Sequence, residues 1–258
     1  MKRLILVSLS GLVVAGIYFG LLKWRDPVEN TLAPSPEVLG VPTSEKGVVI
    51  EIGERKFLAF YLEVTDASNI TLIPNFDQAK NAFDLFAYQD CAGVLSGGFY
   101  TPEGTPTGLF ISGGETLKKY TSSSFLNGVY SINDFETPRI GKAVPRDHLR
   151  LGLQAGPVLI ENSFAQNLSI LRDEEARRVV VGVTGENKTV FIVFYDPESA
   201  FIGPMLEDMP RALELFGEKT GVELADAMNL DGGSASAFFT ADIALSESSL
   251  VGSFFCAK

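Results

Sequence analysis

Runs of alternating or β-branched apolar residues, separated by polar turn residues, dominate the chain from residue 47 onward. Residues 47–52 and 57–64 are two such runs, and short turn-like residues separate them. Residues 178–184 and 189–195 form a second pair around a glycine-containing turn, which predicts a β-hairpin. Further short strands are predicted at 69–73 and at 158–160. The pattern therefore predicts a chain of many short strands.

Helical spacing occurs in only two places. Apolar residues at positions 79, 82, 83 and 86 predict a short helix within residues 76–92. A second helix is predicted from an apolar face, begins near Asp208 and Pro210, and ends at Gly217 or Gly221; the face consists of Leu206, Met209, Leu213 and Phe216. It leads into a short strand at 226–230. We therefore expect an α+β fold with a mixed, largely antiparallel sheet and a few packed helices, in a single domain over residues 47–258.

The first 46 residues differ from the rest. Lys2 and Arg3 precede an uncharged, mostly apolar run over residues 4–22, which as a helix would span roughly 28 Å. We interpret residues 1–25 as an uncleaved membrane anchor, with a cleaved signal peptide as the alternative, because no clear cleavage site follows the run. Residues 26–46 contain four prolines and predict an extended stalk.

Composition excludes several classes of protein. The 258 residues include 21 basic and 32 acidic side chains, a formal charge of −11, which disfavours nucleic-acid binding. With His148 as the only histidine, neither a typical zinc site nor a Ser-His-Asp triad is expected. No cofactor is predicted, although a divalent cation held by carboxylates stays open. Cys91 and Cys256 could pair in an oxidising compartment or remain buried thiols.

The segment 228–236, Met-Asn-Leu-Asp-Gly-Gly-Ser-Ala-Ser, carries the most informative chemistry. Its paired glycines, Gly232 and Gly233, allow a sharp turn in which successive backbone N–H groups can point at one anion. Asp231 can accept a proton or bind sugar hydroxyls, and Ser234 can donate a hydrogen bond. This combination suits a ligand that carries both phosphate and sugar.

Three further segments precede it in the chain: 95–100 (Leu-Ser-Gly-Gly-Phe-Tyr), 154–160 (Gln-Ala-Gly-Pro-Val-Leu-Ile) and 178–182 (Arg-Val-Val-Val-Gly). Together and in this order, the four segments resemble the phosphodiester glycosidase family over roughly residues 55–255. The resemblance implies hydrolysis of a sugar-1-phosphodiester, with release of the sugar from a phosphomonoester. Such a leaving group needs a weaker general acid than an alcohol does, and it benefits more from positive charge.

The resemblance and this chemistry suggest a role for each candidate residue. Arg178 is predicted to hold the phosphate, with Arg177 able to exchange roles, and Asp231 is predicted to act on water or hold the sugar. The predicted substrate-binding residues are Ser96, Gly97, Gly98, Gln154, Gly156, Asn229, Gly232, Gly233 and Ser234. Glu103 is a possible second carboxylate. The family usually has Asn where this chain has Ser96, and a hydroxyl lacks the paired groups of an amide.

We therefore expect a membrane-anchored hydrolase whose soluble domain is exported, periplasmic or extracellular, and whose partner is a phosphorylated sugar or polysaccharide of the cell envelope. The alternative is a non-catalytic envelope protein that binds phosphorylated polysaccharide through the same residues. The oligomeric state is left open.

Overall fold

The computed structural model describes residues 47–258. The predicted anchor at 1–25 and the predicted stalk at 26–46 lie outside the described residues. None of the helices within 47–258 is long and apolar enough to cross a membrane.

Short strands make up most of the described chain, and two α-helices interrupt them. The strands are β1 (Val48–Ile52), β2 (Arg55–Val64), β3 (Ile70–Pro74), β4 (Gly93–Ser96), β5 (Phe110–Ser112), β6 (Glu115–Lys118), β7 (Gly128–Asn133), β8 (Pro138–Gly141), β9 (Leu149–Ala155), β10 (Val158–Glu161), β11 (Phe164–Ala165), β12 (Arg178–Thr184), β13 (Thr189–Tyr195), β14 (Leu224–Asn229), β15 (Phe238–Thr240), β16 (Ala244–Leu245) and β17 (Ser253–Ala257). The helices are α1 (Ala82–Tyr88) and α2 (Met209–Thr220).

The strands form three sheets rather than the single sheet predicted. Their orders are β1-β2-β13-β12-β14-β10-β11, β16-β15-β4-β17-β3 and β6-β5-β9-β7-β8. The pairings between these strands are antiparallel, which confirms the largely antiparallel prediction. With only two α-helices against seventeen strands in residues 47–258, the fold is sheet-dominated and is α+β only in a coarse sense.

The predicted hairpin and both predicted helices are present. Strands β12 and β13 pair from Arg178 opposite Phe194 to Val183 opposite Thr189. Helix α2 has Pro210 in its first turn and ends at Gly221, whose φ of 77° is the left-handed conformation that glycine adopts readily. Helix α1 is shorter than the apolar spacing suggested, because Ala79 has a positive φ and the helix begins only after Asn81.

The core lies in three main apolar layers. The largest joins one face of the seven-stranded sheet to the other two sheets through residues such as Val181, Phe191, Tyr130 and Phe255. The opposite face of the seven-stranded sheet packs on α2 through Leu213 and Phe216. Helix α1 covers the β4–β17 sheet. Both faces of the central strands of the seven-stranded sheet are therefore covered, and this sheet is a rigid support for the residues at its strand ends.

A disulfide joins Cys91, which follows α1, to Cys256 in β17. Their Cα atoms are 5.5 Å apart, and the bond closes a separation of 165 residues. The structure thus decides between the two states that the sequence left open for these cysteines.

Candidate active site

Backbone hydrogen bonds bring all four sequence segments to one place, with the 154–160 segment joined through Asn229 N, which donates to Pro157 O at 3.0 Å. Antiparallel pairing of β12 with β14 sets Val180 opposite Asn229, so that the start of β12 lies beside the end of β14. Leu230 N donates to Val179 O at 2.8 Å. Asp231 N then donates to Gly97 O at 3.0 Å, which ties the end of β14 to the loop after β4.

A cavity of about 320 Å³ opens where these strand ends meet, a size within the range of small-ligand sites. Its apolar lining consists of Phe99, Phe125, Ile170, Ala176 and Leu206. Its polar and glycine lining consists of Arg172, Asp173, Glu174, Arg178, Asn229, Asp231, Gly232 and Gly233. Arg178 and Asp231, the two residues predicted for the chemistry, therefore share one cavity.

Asp231 is the one carboxyl group among residues 47–258 whose pKa is strongly raised. Burial raises the pKa of its carboxyl from 3.8 to about 7, and the hydrogen bond from Gly232 N, at 3.0 Å, opposes this only in part. A carboxyl that titrates near neutrality can give or take a proton at physiological pH. Ser96 is wholly buried and donates its hydroxyl to Asp231 O at 3.2 Å. Ser96 therefore supports the backbone of Asp231 and does not line the cavity.

The glycine pair acts by allowing a close approach of two backbones. A Cβ on Gly232 would lie 2.6 Å from Arg177 O, so only glycine fits there. The N–H groups of the two glycines are not available to an anion, because Gly232 N donates to Asp231 Oδ1 and Gly233 N donates to Arg177 O. Ser234 is exposed outside the cavity, and its hydroxyl lies 3.2 Å from that of Ser249.

The two neighbouring arginines have different environments. Arg177 is wholly buried; its Nε donates to Ser236 Oγ at 2.7 Å and its Nη2 to Ser246 O at 2.8 Å. Burial lowers the pKa of Arg177 to about 10, although Glu247 partly counters this by attraction. Arg177 thus holds the loop that carries Asp231. Arg178 alone of the two lines the cavity.

Protein groups fix one edge of the Arg178 guanidinium. Its Nε donates to Pro204 O at 3.0 Å, and its Nη2 donates to Asp173 Oδ1 at 3.2 Å and to Glu174 O. Among the described residues, no hydrogen bond uses Nη1. Burial lowers the pKa of Arg178, and the neighbouring Asp173 carboxylate offsets part of this. Arg178 is therefore a held cation with one free nitrogen beside the cavity.

Asp173 is a site residue that sequence reasoning missed. Its carboxylate accepts from Leu206 N at 2.9 Å, from Glu207 N at 2.7 Å and from Arg178. It therefore ties the segment before α2 to the start of β12. The only signal in the sequence was its place in a charged run just before Arg178, and such runs are usually solvated surface.

Asn229 lies at the end of β14 and is only 2% exposed. Its Nδ2 donates to Gly156 O at 3.2 Å and to Leu230 O at 2.7 Å. Its Oδ1 has no hydrogen-bond partner within residues 47–258. An unpartnered buried acceptor in a cavity lining is suited to a donor group on a ligand, because leaving it unpaired is costly.

Five other predicted site residues lie away from the cavity lining. Gln154 is 1% exposed and binds backbone groups only, so it does not present its carboxamide to a ligand. Glu103 is exposed in the loop after β4 and is no second carboxylate of this cavity. Gly97, Gly98 and Gly156 shape the surrounding backbone: the Gly97 carbonyl accepts from Asp231, and Gly156 N donates to Asn229 O at 3.0 Å.

The described residues contain no group of three or more His, Cys, Asp and Glu side chains arranged to hold a metal ion.

Comparisons with known proteins agree with the arrangement of these segments. The sequence profile of the phosphodiester glycosidase family matches residues 89–253. No curated protein sequence matches the chain significantly.

Solved structures share the fold at low sequence identity. The chain is similar to the zebrafish N-acetylglucosamine-1-phosphodiester alpha-N-acetylglucosaminidase catalytic domain auto-inhibited by its pro-peptide, with a TM-score of 0.64 and 14% identity over 82% of this chain and 81% of that one. A hypothetical protein from Synechocystis gives a TM-score of 0.61 and 13% identity over 81% of this chain and 61% of that one. A putative exported protein from Burkholderia pseudomallei gives a TM-score of 0.52 and 10% identity over 78% of this chain and 74% of that one.

The profile covers well over half of the chain, and its matched region contains the segments that build the cavity. The chain belongs to the phosphodiester glycosidase family.

Proposed function

We propose that this protein is a hydrolase that cleaves a sugar from a sugar-1-phosphodiester of the cell envelope, and that it does so in the cavity between Asp231 and Arg178. One observation carries the proposal: a carboxyl whose pKa is raised to about 7 shares a cavity with a held guanidinium that has a free nitrogen. Family membership supports hydrolysis of phosphodiester-linked sugars in general.

The reaction follows from these two groups. Ionised Asp231 takes a proton from a water molecule as the water attacks the anomeric carbon. The bond between that carbon and the phosphate oxygen breaks, and its electron pair leaves with the phosphomonoester. Arg178 Nη1 donates to the phosphate oxygens and stabilises the charge that develops on them. Asn229 Oδ1 accepts a hydrogen bond from a sugar hydroxyl.

The charge of the cavity lining also favours binding of a phosphodiester over binding of a phosphomonoester. Arg172 and Arg178 oppose Asp173, Glu174 and Asp231, so the cavity carries no excess of positive charge when Asp231 is ionised. A phosphodiester has one negative charge, whereas a phosphomonoester product has nearly two at neutral pH. Repulsion from the three carboxylates would help the product to leave.

The proposal is tested by product analysis with the full-length protein and a panel of glycosyl-1-phosphate alkyl diesters in ¹⁸O-labelled water. We expect free sugar and an alkyl phosphomonoester, with the label in the sugar because the carbon–oxygen bond is the one cleaved. Label in the phosphate would overturn the mechanism. Diester binding without turnover across the panel would overturn the hydrolase and favour the non-catalytic polysaccharide-binding alternative.

The rate should depend on pH in the direction set by Asp231. Because the ionised carboxylate is the active base and burial raises its pKa to about 7, kcat/KM should fall as the pH drops below 7. The limiting slope is about tenfold per pH unit. A profile measured between pH 5 and 9 checks this, and a rate that rises toward pH 5 would assign Asp231 the role of a general acid.

Arg178 should act on the bound phosphate group and on the charge that develops on it in the transition state. In Arg178→Lys the charge stays but the planar fork is lost, and in Arg178→Gln the charge is lost as well. We expect kcat/KM for the diester to fall about tenfold to a hundredfold in Arg178→Gln, in line with the loss of a charged hydrogen bond, and less in Arg178→Lys. Arg211→Gln, on the exposed face of α2, is the matched control. Equal kcat/KM values in all three variants would remove Arg178 from the site.

A proposed exported location is supported by the disulfide between Cys91 and Cys256, because such bonds persist mainly in oxidising compartments. Together with the apolar run at 4–22, this favours a membrane-anchored protein whose domain lies outside the cytoplasm. Fractionation of cells that produce the full-length protein would test the location, and a domain accessible only from the cytoplasm would contradict it.

A further inference from the structure

Two aromatic rings form one wall of the cavity. Phe99 follows β4 and Phe125 precedes β7; their ring centroids are 6.0 Å apart at an interplanar angle of 63°. Phe125 is 39% exposed, and both rings line the cavity. An apolar side chain so exposed in a loop gains little stability for the fold by itself.

The buried side chain of Gln154 nevertheless holds the loop that carries Phe125, residues 121–126. Gln154 Oε1 accepts from Leu109 N at 2.9 Å and Thr121 N at 3.0 Å, and its Nε2 donates to Thr121 O at 2.6 Å and Leu126 O at 2.7 Å. All four hydrogen-bonding positions of this carboxamide are thus satisfied by backbone groups, two of them at the start of the loop and one at its end.

Shorter-range contacts hold the same loop. Ser123 Oγ accepts from Phe125 N at 3.2 Å and from Leu126 N at 2.9 Å. A Cβ on Gly156 would lie 2.4 Å from Phe125 O, so the turn before β10 packs directly against the loop backbone. The ring of Phe125 is therefore pre-positioned, and a ligand that uses it would not have to order the loop on binding.

The cavity has two chemically different kinds of lining, aromatic from Phe99 and Phe125 and polar from Asn229, Asp231 and Arg178. A pyranose ring matches this, because it presents C–H groups on its faces and hydroxyls around its edge. We propose that Phe125, with Phe99 packed against it, is the platform on which the sugar ring stacks, and that Gln154 is the positioning residue for this platform. This inference rests on the proposed function, because it assigns the glycosyl part of the same substrate.

The test compares two probes that share a phosphate and differ in the sugar, glucose 1-phosphate and inorganic phosphate, with full-length protein in a calorimeter. We expect Phe125→Ala to weaken binding of glucose 1-phosphate by about tenfold, on the scale of an aromatic contact, and to leave inorganic phosphate unchanged. Phe125→Tyr keeps a ring and should retain the affinity. Phe135→Ala removes an aromatic that is 87% exposed and lies outside the cavity lining, and is the control.

The variant Gln154→Ala tests the second part of the proposal, that Gln154 positions the platform. It should reproduce the selective loss for glucose 1-phosphate, with faster proteolysis within residues 121–126. Turnover measurements should show a higher KM and a kcat within about twofold of wild type in Phe125→Ala, because the ring binds ground state and transition state alike.

The platform is overturned if Phe125→Ala binds both probes as wild type does, if it loses both equally, or if the loss tracks the length of an alkyl aglycone instead of the presence of the sugar. Wild-type binding of glucose 1-phosphate without hydrolysis of any diester would defeat the proposed function and leave the platform standing. Normal hydrolysis in Phe125→Ala with unchanged KM would overturn the platform and leave the proposed function standing. If the wild type neither binds glucose 1-phosphate nor hydrolyses any diester of the panel, both proposals are overturned.

Discussion

Asp231→Asn is expected to abolish turnover and, at the same time, to make the protein more stable above pH 7. The amide cannot accept a proton from water, so we expect kcat to fall by about a thousandfold, within the range for loss of a general base. The ionised carboxylate also destabilises the folded state, because burial disfavours its charge and raises its pKa from 3.8 to about 7. An amide of the same shape carries no such desolvation cost.

The direction of the stability effect follows from proton binding. Between pH 4 and 7 the folded protein keeps a proton on Asp231 that the unfolded chain releases, so the stability contributed by this group is lost as the pH rises through 7. The gain in Asp231→Asn should therefore be small at pH 4 and reach about 2–4 kcal/mol at pH 8. Urea unfolding at both pH values measures it.

Asp147→Asn is the matched control for this experiment, because Asp147 is half-exposed and lies outside the cavity lining. Its activity and its pH-dependent stability should equal those of the wild type. If Asp231→Asn were inactive but destabilised equally at both pH values, the loss of activity would reflect a damaged fold, and Asp231 would not be a catalytic residue.

Removal of the disulfide should have the second large effect. Replacing Cys91 and Cys256 together by alanine is expected to lower the free energy of unfolding by about 3–5 kcal/mol, because the bond closes a long loop and restricts the unfolded chain. For a domain of this size the melting temperature should fall by roughly 10 °C. Calorimetry of the double variant measures this loss.

A reducing agent separates the effect of the bond from the effect of repacking. Dithiothreitol should shift the wild type toward the melting temperature of the double variant and leave the double variant itself unchanged. Two free thiols in the native wild type, detected by mass after alkylation, would show that the bond is absent. Both cysteines lie in the apolar layer under α1, so single substitutions would mix the two effects.

Local patterns predicted the elements of the fold well. The β12–β13 hairpin follows from two β-branched runs around a short turn, and α2 follows from an apolar face with Pro210 at one end and Gly221 at the other. The division of the strands into three sheets was not predictable. Strand order depends on pairings such as β4 with β17, whose residues are separated by more than 150 positions.

The candidate site was predictable only where one strand pair carries it. Asn229, Asp231 and Arg178 meet because β12 and β14 are neighbours, and the sequence segments that resemble the family include both strands. Asp173 and Phe125 come from loops whose positions depend on distant hydrogen bonds, so no local pattern indicated them.

Gln154 shows how an amide can be misread. In sequence, a glutamine beside Gly156 looks equally able to face a ligand or the protein, and only the position of the 121–126 loop shows that all its bonding capacity is used internally. Ser96 is similar: in this chain its hydroxyl supports the backbone of Asp231 and does not line the cavity.

The placement of β17 has a consequence for how the molecule is made. Residues Ser253–Ala257 lie between β3 and β4 and supply the second cysteine of the cross-link. Because β3 and β4 each pair with β17, this sheet cannot close, and the cross-link cannot form, before residues 253–257 have been synthesised.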